Sequence, residues 1–255
     1  HKVLSLIPNA SIDPKASNFN IYFFLMSLLH VEILFNIGAL EECIMVGYKV
    51  LNVVNRENLS ILKPDYMTKE QFENMLKDCI AYIALANVVQ LRGNVKDFLD
   101  LTYQTLDFVP KEYEIFVDLQ GFIAGQNVQL INEPQEKFSK LVFHIINAFR
   151  QNSFEDFAEE IYLAKLCAHE NKLSHIEILC DLFIGYSYSK LNMYEKASSI
   201  LYNIIKSSKD NGMFLLEHIG WYILSCLNLE QKKYWKDTTK AQYVIYLMDF
   251  SELIK

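Results

Sequence analysis

Two helical periods meet at Asn192, and few folds can accommodate that meeting. Before it, Tyr188 stands four residues after Ile184 and three after Gly185; after it, Ala197, Leu201 and Ile204 follow at steps of four and three. Such offsets place side chains on one face of a helix, so the stretch from Ile178 to Ile205 predicts two amphipathic helices facing each other. Gly185 and Ala197 are small, which lets two helix backbones approach where a bulky side chain would block ridge-into-groove contact. Asn192 supplies the reversal, because Asn tolerates the left-handed conformation that ends a helix.

That spacing resembles a tetratricopeptide repeat, with matches at the usual glycine, tyrosine, alanine and terminal apolar positions. It departs from the family in Asp181, where Trp is frequent, and Lys209, where Pro is frequent. The resemblance implies an all-α chain, a right-handed α-solenoid of tetratricopeptide-like hairpins with irregular insertions, in which the first helix of each pair lines a concave groove. It implies a non-enzymatic scaffold for protein–protein interaction with no cofactor. The stretch from Ala164 to Leu227 is also similar to the longer repeat units of MalT-like and other STAND-type signalling proteins. That likeness implies an alternative: a regulatory domain of a signalling protein or transcription regulator, sensing a small-molecule inducer held between repeats.

Composition narrows the classes. Glycine occurs 8 times and proline 5 times, too seldom for the turns of an all-β fold. A net charge of −7 disfavours binding to a phosphate backbone or an anionic membrane face. Cys43, Cys79, Cys167, Cys180 and Cys226 are scattered and form no C-x-x-C pair, the pattern of reduced core thiols in a cytoplasmic protein. The apolar run Ile21 to Leu29 is too short to cross a bilayer and predicts a buried helix. A chain opening at His1 is expected to be a piece of a longer protein.

Taken in order, residues 1–17 form a stub punctuated by Pro8, Asn9, Asp13 and Pro14. Hairpins are expected near 18–54, 79–111, 138–168, 178–211 and 213–254, reversing at Gly38, Gly93, Asn152, Asn192 and Asn228. Residues 55–68 read as a polar connection, and Thr68 with Gln71 as a helix start. Leu85, Ala86 and Val89 fall on the first helix of the second hairpin. Pro110 is expected to stop that hairpin's second helix. The stretch from Glu112 to Leu130 reads as an inserted helix, and Lys240 to Ile254 as the last one. Only the final intervals between turns approach the period of about 34 residues of the family.

The same alignment nominates the groove. Its positions are Glu32 and Phe35; Asn87 and Gln90; Phe149 and Arg150; Tyr186, Ser189 and Lys190; and His218 and Trp221. Aromatics and amides there would hold an extended peptide by stacking and by hydrogen bonds to its backbone. The competing reading packs Phe149, Tyr186 and Trp221 between repeats. Of the set that lets some members capture chaperone C-termini, only Asn87 falls in place, so chaperone binding is not expected. Cys167, His169 and His175 lie close in sequence without a second ligand pair, the glycines form no phosphate loop, and Lys232, Lys233, Lys236 and Lys240 are interspersed with Glu230 and Asp237.

Overall fold

The computed structural model describes residues 11–90, 93–130, 132–210 and 214–230. Every regular element among them is helical, and a single bridge between Ser11 and Phe19 is the sole extended pairing described. Contacts divide the chain into two compact units, residues 1–142 and 143–255.

Unit 1 opens with a hairpin of α1 (Ile21–Asn36) and α2 (Leu40–Leu51). The α1 start is set by Asn20, whose extended backbone lets its side chain accept from the amides of Tyr22 and Phe23 at 2.9 and 3.1 Å. Its end is Gly38, at φ +76°. There Ala39 N donates to Leu34 O at 2.9 Å and Gly38 N to Phe35 O at 3.0 Å, a closure that needs a left-handed residue and suits glycine. The 55–68 stretch is not merely polar. It contains a short helix, α3 (Leu59–Leu62), that buries Leu62.

Helix α4 (Lys69–Gln90) begins at a reciprocal cap: Gln71 N donates to Thr68 Oγ1 at 3.2 Å, and Thr68 N to Gln71 Oε1 at 2.9 Å. It packs on α1 and α2, and every residue from Cys79 to Val88 is buried. Phe35 stacks at 5.1 Å on Tyr82, and Tyr82 meets Phe138 edge-on at 5.3 Å. Val89, just past this buried stretch, is 58 % exposed. Gly93, at φ +75°, leads into α5 (Val95–Thr105). Gln120 of α6 (Ile115–Ile123) clamps that turn, donating to Gly93 O at 3.0 Å and accepting from Val95 N at 3.2 Å.

Two expectations fail in this unit. The inserted helix is a 3-10 turn over Lys111–Glu114 followed by α6, which ends at Ile123; Gly125, at φ +82°, closes it, so residues 126–130 are not helical. Pro110 does not stop α5, which has already ended at Thr105; it caps the 3-10 turn, where a missing amide proton costs nothing.

Helix α7 (Lys137–Ala148) runs through the boundary residue. Unit 2 continues with α8 (Phe154–Glu170), α9 (Ser174–Lys190), α10 (Tyr194–Asp210) and α11 (Phe214–Glu230). Each packs on the next, and α11 returns to touch α9. Asn192, at φ +58°, turns the chain as expected, with Met193 N donating to Tyr188 O at 2.9 Å. Lys172, at φ +57°, repeats that closure between α8 and α9 through Leu173 N to Ala168 O at 2.9 Å. Asn152 does not adopt the left-handed conformation; Ser153, accepting from Asp156 N at 3.0 Å, starts α8. Asn228 is no reversal either, because α11 continues through it to Glu230.

Gly185 marks the close approach anticipated for it. A Cβ there would lie 3.3 Å from the Leu201 side chain, so the facing residue is Leu201 rather than Ala197. Around it lies a core of Ile178, Leu182, Ala197, Leu201, Ile204 and Leu224. The expected helix from Lys240 to Ile254, the lysines from Lys232 to Lys240 and residues 1–10 of the stub lie outside the described residues.

Candidate functional site

Helix α9 is apolar on more than one face, and Leu182 belongs both to the core and to the wall of a cleft. Leu179, Leu182, Phe183 and Tyr186 stand at offsets of three and four and form a second stripe along it. Ile219, Tyr222 and Ile223 repeat the spacing on α11. Phe154 and Phe157, one turn apart at the start of α8, and Phe149, just past α7, complete the wall. These side chains line a cleft of about 510 Å³ inside unit 2.

The rings interlock edge to face. Phe149 lies 5.3 Å from both Phe157 and Phe183, at 81° and 90°, and Phe154 lies 6.2 Å from Tyr186 at 76°. Edge-to-face pairs place the positive rim of one ring on the negative face of another, which fixes their geometry before any ligand arrives. Yet the cluster is not sealed: Phe149 is 47 % exposed, Phe154 41 % and Tyr186 38 %. The Lys190 ammonium stands 5.3 Å above the Tyr186 ring.

The nominated residues divide by unit. In unit 1, Phe35 is 1 % exposed against Tyr82, and Asn87 is 4 % exposed with its side-chain amide donating to Ile83 O at 2.9 Å. Both are core residues, Phe35 on α1 and Asn87 on the buried stretch of α4. Glu32 and Gln90 are half-buried, and the Gln90 Oε1 has no hydrogen-bond partner among the described residues. In unit 2, Phe149 and Tyr186 do come together in the cleft. Arg150 is half-buried next to Phe149 along the chain, and Lys190 is exposed. Ser189 is buried and its hydroxyl is spent on Tyr186 O at 2.7 Å, so it offers nothing to a peptide. His218 is half-buried, and Trp221 packs against the unit 2 core, as the competing reading had it.

The sequence reading places Phe154 and Phe157 only on a hairpin's second helix, and it does not nominate Phe183 or Tyr222 at all. The signal was the four-residue stripe at Leu179, Leu182, Phe183 and Tyr186, hidden because α9 carries apolar residues on its other faces too.

Elsewhere, titratable groups are shaped by burial. It pushes the thiols of Cys43 and Cys180 up to about 12, which keeps them protonated and unreactive. It pulls the His175 imidazole down to about 4. His169 faces Glu177 at 3.3 Å, and His144 faces Glu160 at 2.8 Å. Among the described residues no group of three or more His, Cys, Asp or Glu is gathered as a metal ion would require, and no helix is long and apolar enough to cross a membrane. A second cleft in unit 2, of about 530 Å³, is mixed in character, with Glu155 and Glu159 beside Tyr188, whose ring is already faced by Lys196 at 5.6 Å. No family model, no curated protein and no solved structure matches the chain.

Proposed function

We propose that this chain is a non-enzymatic interaction module of the cell interior, its unit 2 a right-handed stack of tetratricopeptide-like hairpins whose aromatic cleft takes a segment of a protein partner. One observation carries the reading: three large rings, Phe149, Phe154 and Tyr186, are pre-arranged edge to face and left substantially open to water. Contiguous exposed apolar surface is costly in a protein that keeps it bare, and rigid aromatic anchors are the side chains that dominate partner surfaces. The lining residues are aliphatic and aromatic, with two phenols as the only titratable groups, which suits recognition rather than turnover. Exposure of the same three rings also favours a partner over the alternative of an enclosed inducer, which would be wrapped on most sides.

The test is a photo-crosslinking amino acid placed at position 186 in cells expressing the protein. A discrete crosslinked partner is expected at 186, lost when Phe149→Ala is added, and absent when the crosslinker replaces the exposed Tyr66 of unit 1. Equal capture at 186 and 66 would overturn the reading.

A further inference from the structure

We propose that the segment this cleft accepts is an amphipathic α-helix whose apolar stripe ends in acidic residues. The inference rests on the interaction reading above and specifies the chemistry of the partner.

The first argument is backbone satisfaction. An extended peptide carries an unpaired N–H and C=O at nearly every residue, and burying these without partners is costly. Aliphatic and aromatic side chains line the cleft, and the Tyr186 and Tyr222 hydroxyls are their only hydrogen-bonding groups. The polar groups nominated to hold an extended backbone are unavailable to it: the Ser189 hydroxyl is bound to Tyr186 O, and Asn87 is committed inside the core of unit 1. A helix satisfies its own backbone and presents only side chains, so it can enter such a cleft without that cost.

The second argument is shape. The stripe on α9 and the shorter one on α11 both repeat at offsets of three and four, the spacing at which an incoming helix presents its own apolar side chains. The third is charge. Arg150 follows Phe149, and Lys190 lies over Tyr186; neither is paired with a carboxylate among the described residues. In a chain of net charge −7, the Lys190 ammonium over the exposed Tyr186 ring is a cation without a carboxylate partner among the described residues. Acidic residues at the end of the incoming stripe complement it, and such complementarity fixes orientation as well as partner choice.

Fluorescence anisotropy of the whole protein with three synthetic peptides decides the matter. One peptide carries Leu and Phe at helical spacing followed by glutamates; the second adds a central proline; the third replaces the glutamates with lysines. The first is expected to bind about tenfold more tightly than either other. Phe149→Ala and Tyr186→Ala, at exposed positions, should each weaken it by about tenfold. The double variant Arg150→Glu with Lys190→Glu should reverse the preference and select the lysine peptide, an outcome that misfolding cannot mimic. Proline and glutamate peptides binding equally would overturn the helix while leaving the interaction reading intact. Failure of every peptide, alongside a genuine crosslinked partner at position 186, would likewise overturn this inference alone. A concentration-dependent dimer abolished by Tyr186→Ala in sedimentation would overturn it in favour of a second copy of the chain.

Discussion

Both units are rich in aromatic rings, and they place most of them differently, although unit 1 keeps an edge-to-face pair with a half-exposed ring, Tyr48 on Phe98 at 5.5 Å. In unit 1, Phe24, Phe35, Phe72, Tyr113 and Phe116 are fully buried, and Tyr82 joins Phe35 to Phe138 in a continuous interior stack. Its most exposed rings, Tyr22 and Tyr66, have no aromatic neighbour among the described residues. In unit 2 the rings gather at the surface, where Phe149, Phe154 and Tyr186 touch other rings and water at once. A buried ring contributes stability through its whole area, whereas a half-exposed ring in a fixed edge-to-face array contributes less and keeps area in reserve for a partner. The same residue type is therefore mostly interior in one unit and half-exposed in the other.

The sharpest way to break this contrast is a pair of truncations. Phe35→Ala should cost about 3–5 kcal/mol in denaturant unfolding, as large-to-small changes in a packed core do. Phe149→Ala should cost only about 1 kcal/mol, the scale of its ring pairs. Equal losses would mean that the unit 2 cluster is core after all.

Next in size is a pH effect with opposite signs in the two units. Burial lowers the His175 pKa from 6.5 to about 4, so between those values the unfolded chain binds a proton that the native state refuses. Stability is therefore lost as pH falls from 6.5 to 4, by at most about 1.4 kcal/mol per pH unit, and His175→Leu should flatten that slope. In unit 1, burial holds the carboxyls of Asp78 and Glu136 above their ordinary values. The native state there binds protons first, and those two groups make acidification stabilising. Unfolding titrations of the protein and of the His175→Leu and Glu136→Gln variants separate the contributions.

Helix contacts provide a smaller contrast. A Cβ on Gly47 would collide with Cγ1 and Cδ1 of Ile83, deep between α2 and α4, so Gly47→Ala should cost about 1–3 kcal/mol. Gly185→Ala meets Cγ and Cδ2 of Leu201 at 3.3 Å and Cγ2 of Ile200 at 3.4 Å, a milder approach, and gains helix propensity, so its change in thermal unfolding should stay within about 1 kcal/mol. Smallest of all, Lys172→Gly should raise stability by less than about 1 kcal/mol, since a left-handed lysine is strained where glycine is not. A loss at Lys172→Gly would show that this turn is held by its side chain.

What was legible in the sequence was local chemistry. Gly38 and Asn192 announce their reversals because they reach positive φ cheaply, and Thr68 with Gln71 spells a cap within four residues. Lys172 gave no such sign: its conformation is imposed by the bond from Leu173 N to Ala168 O and the complete burial of Leu173. Asn228 gave a false one, because a residue that permits a helix end does not compel it. The candidate surface was half legible. Phe149 and Tyr186 were nominated, but the face of α9 that carries Phe183 could not be told from the face that carries Ile178 and Ile184 by periodicity alone. Phe35 and Asn87 were misplaced because groove positions were inferred from a pattern within one hairpin, and their burial depends on how α1, α2 and α4 close on one another.

Helix α4 has a further implication for how unit 1 comes apart. With every residue from Cys79 to Val88 buried, its central amide protons are expected to be among the slowest of the unit to exchange. Deuterium should reach them chiefly when the surrounding helices separate together, which would make this segment a clock for the cooperative opening of the unit.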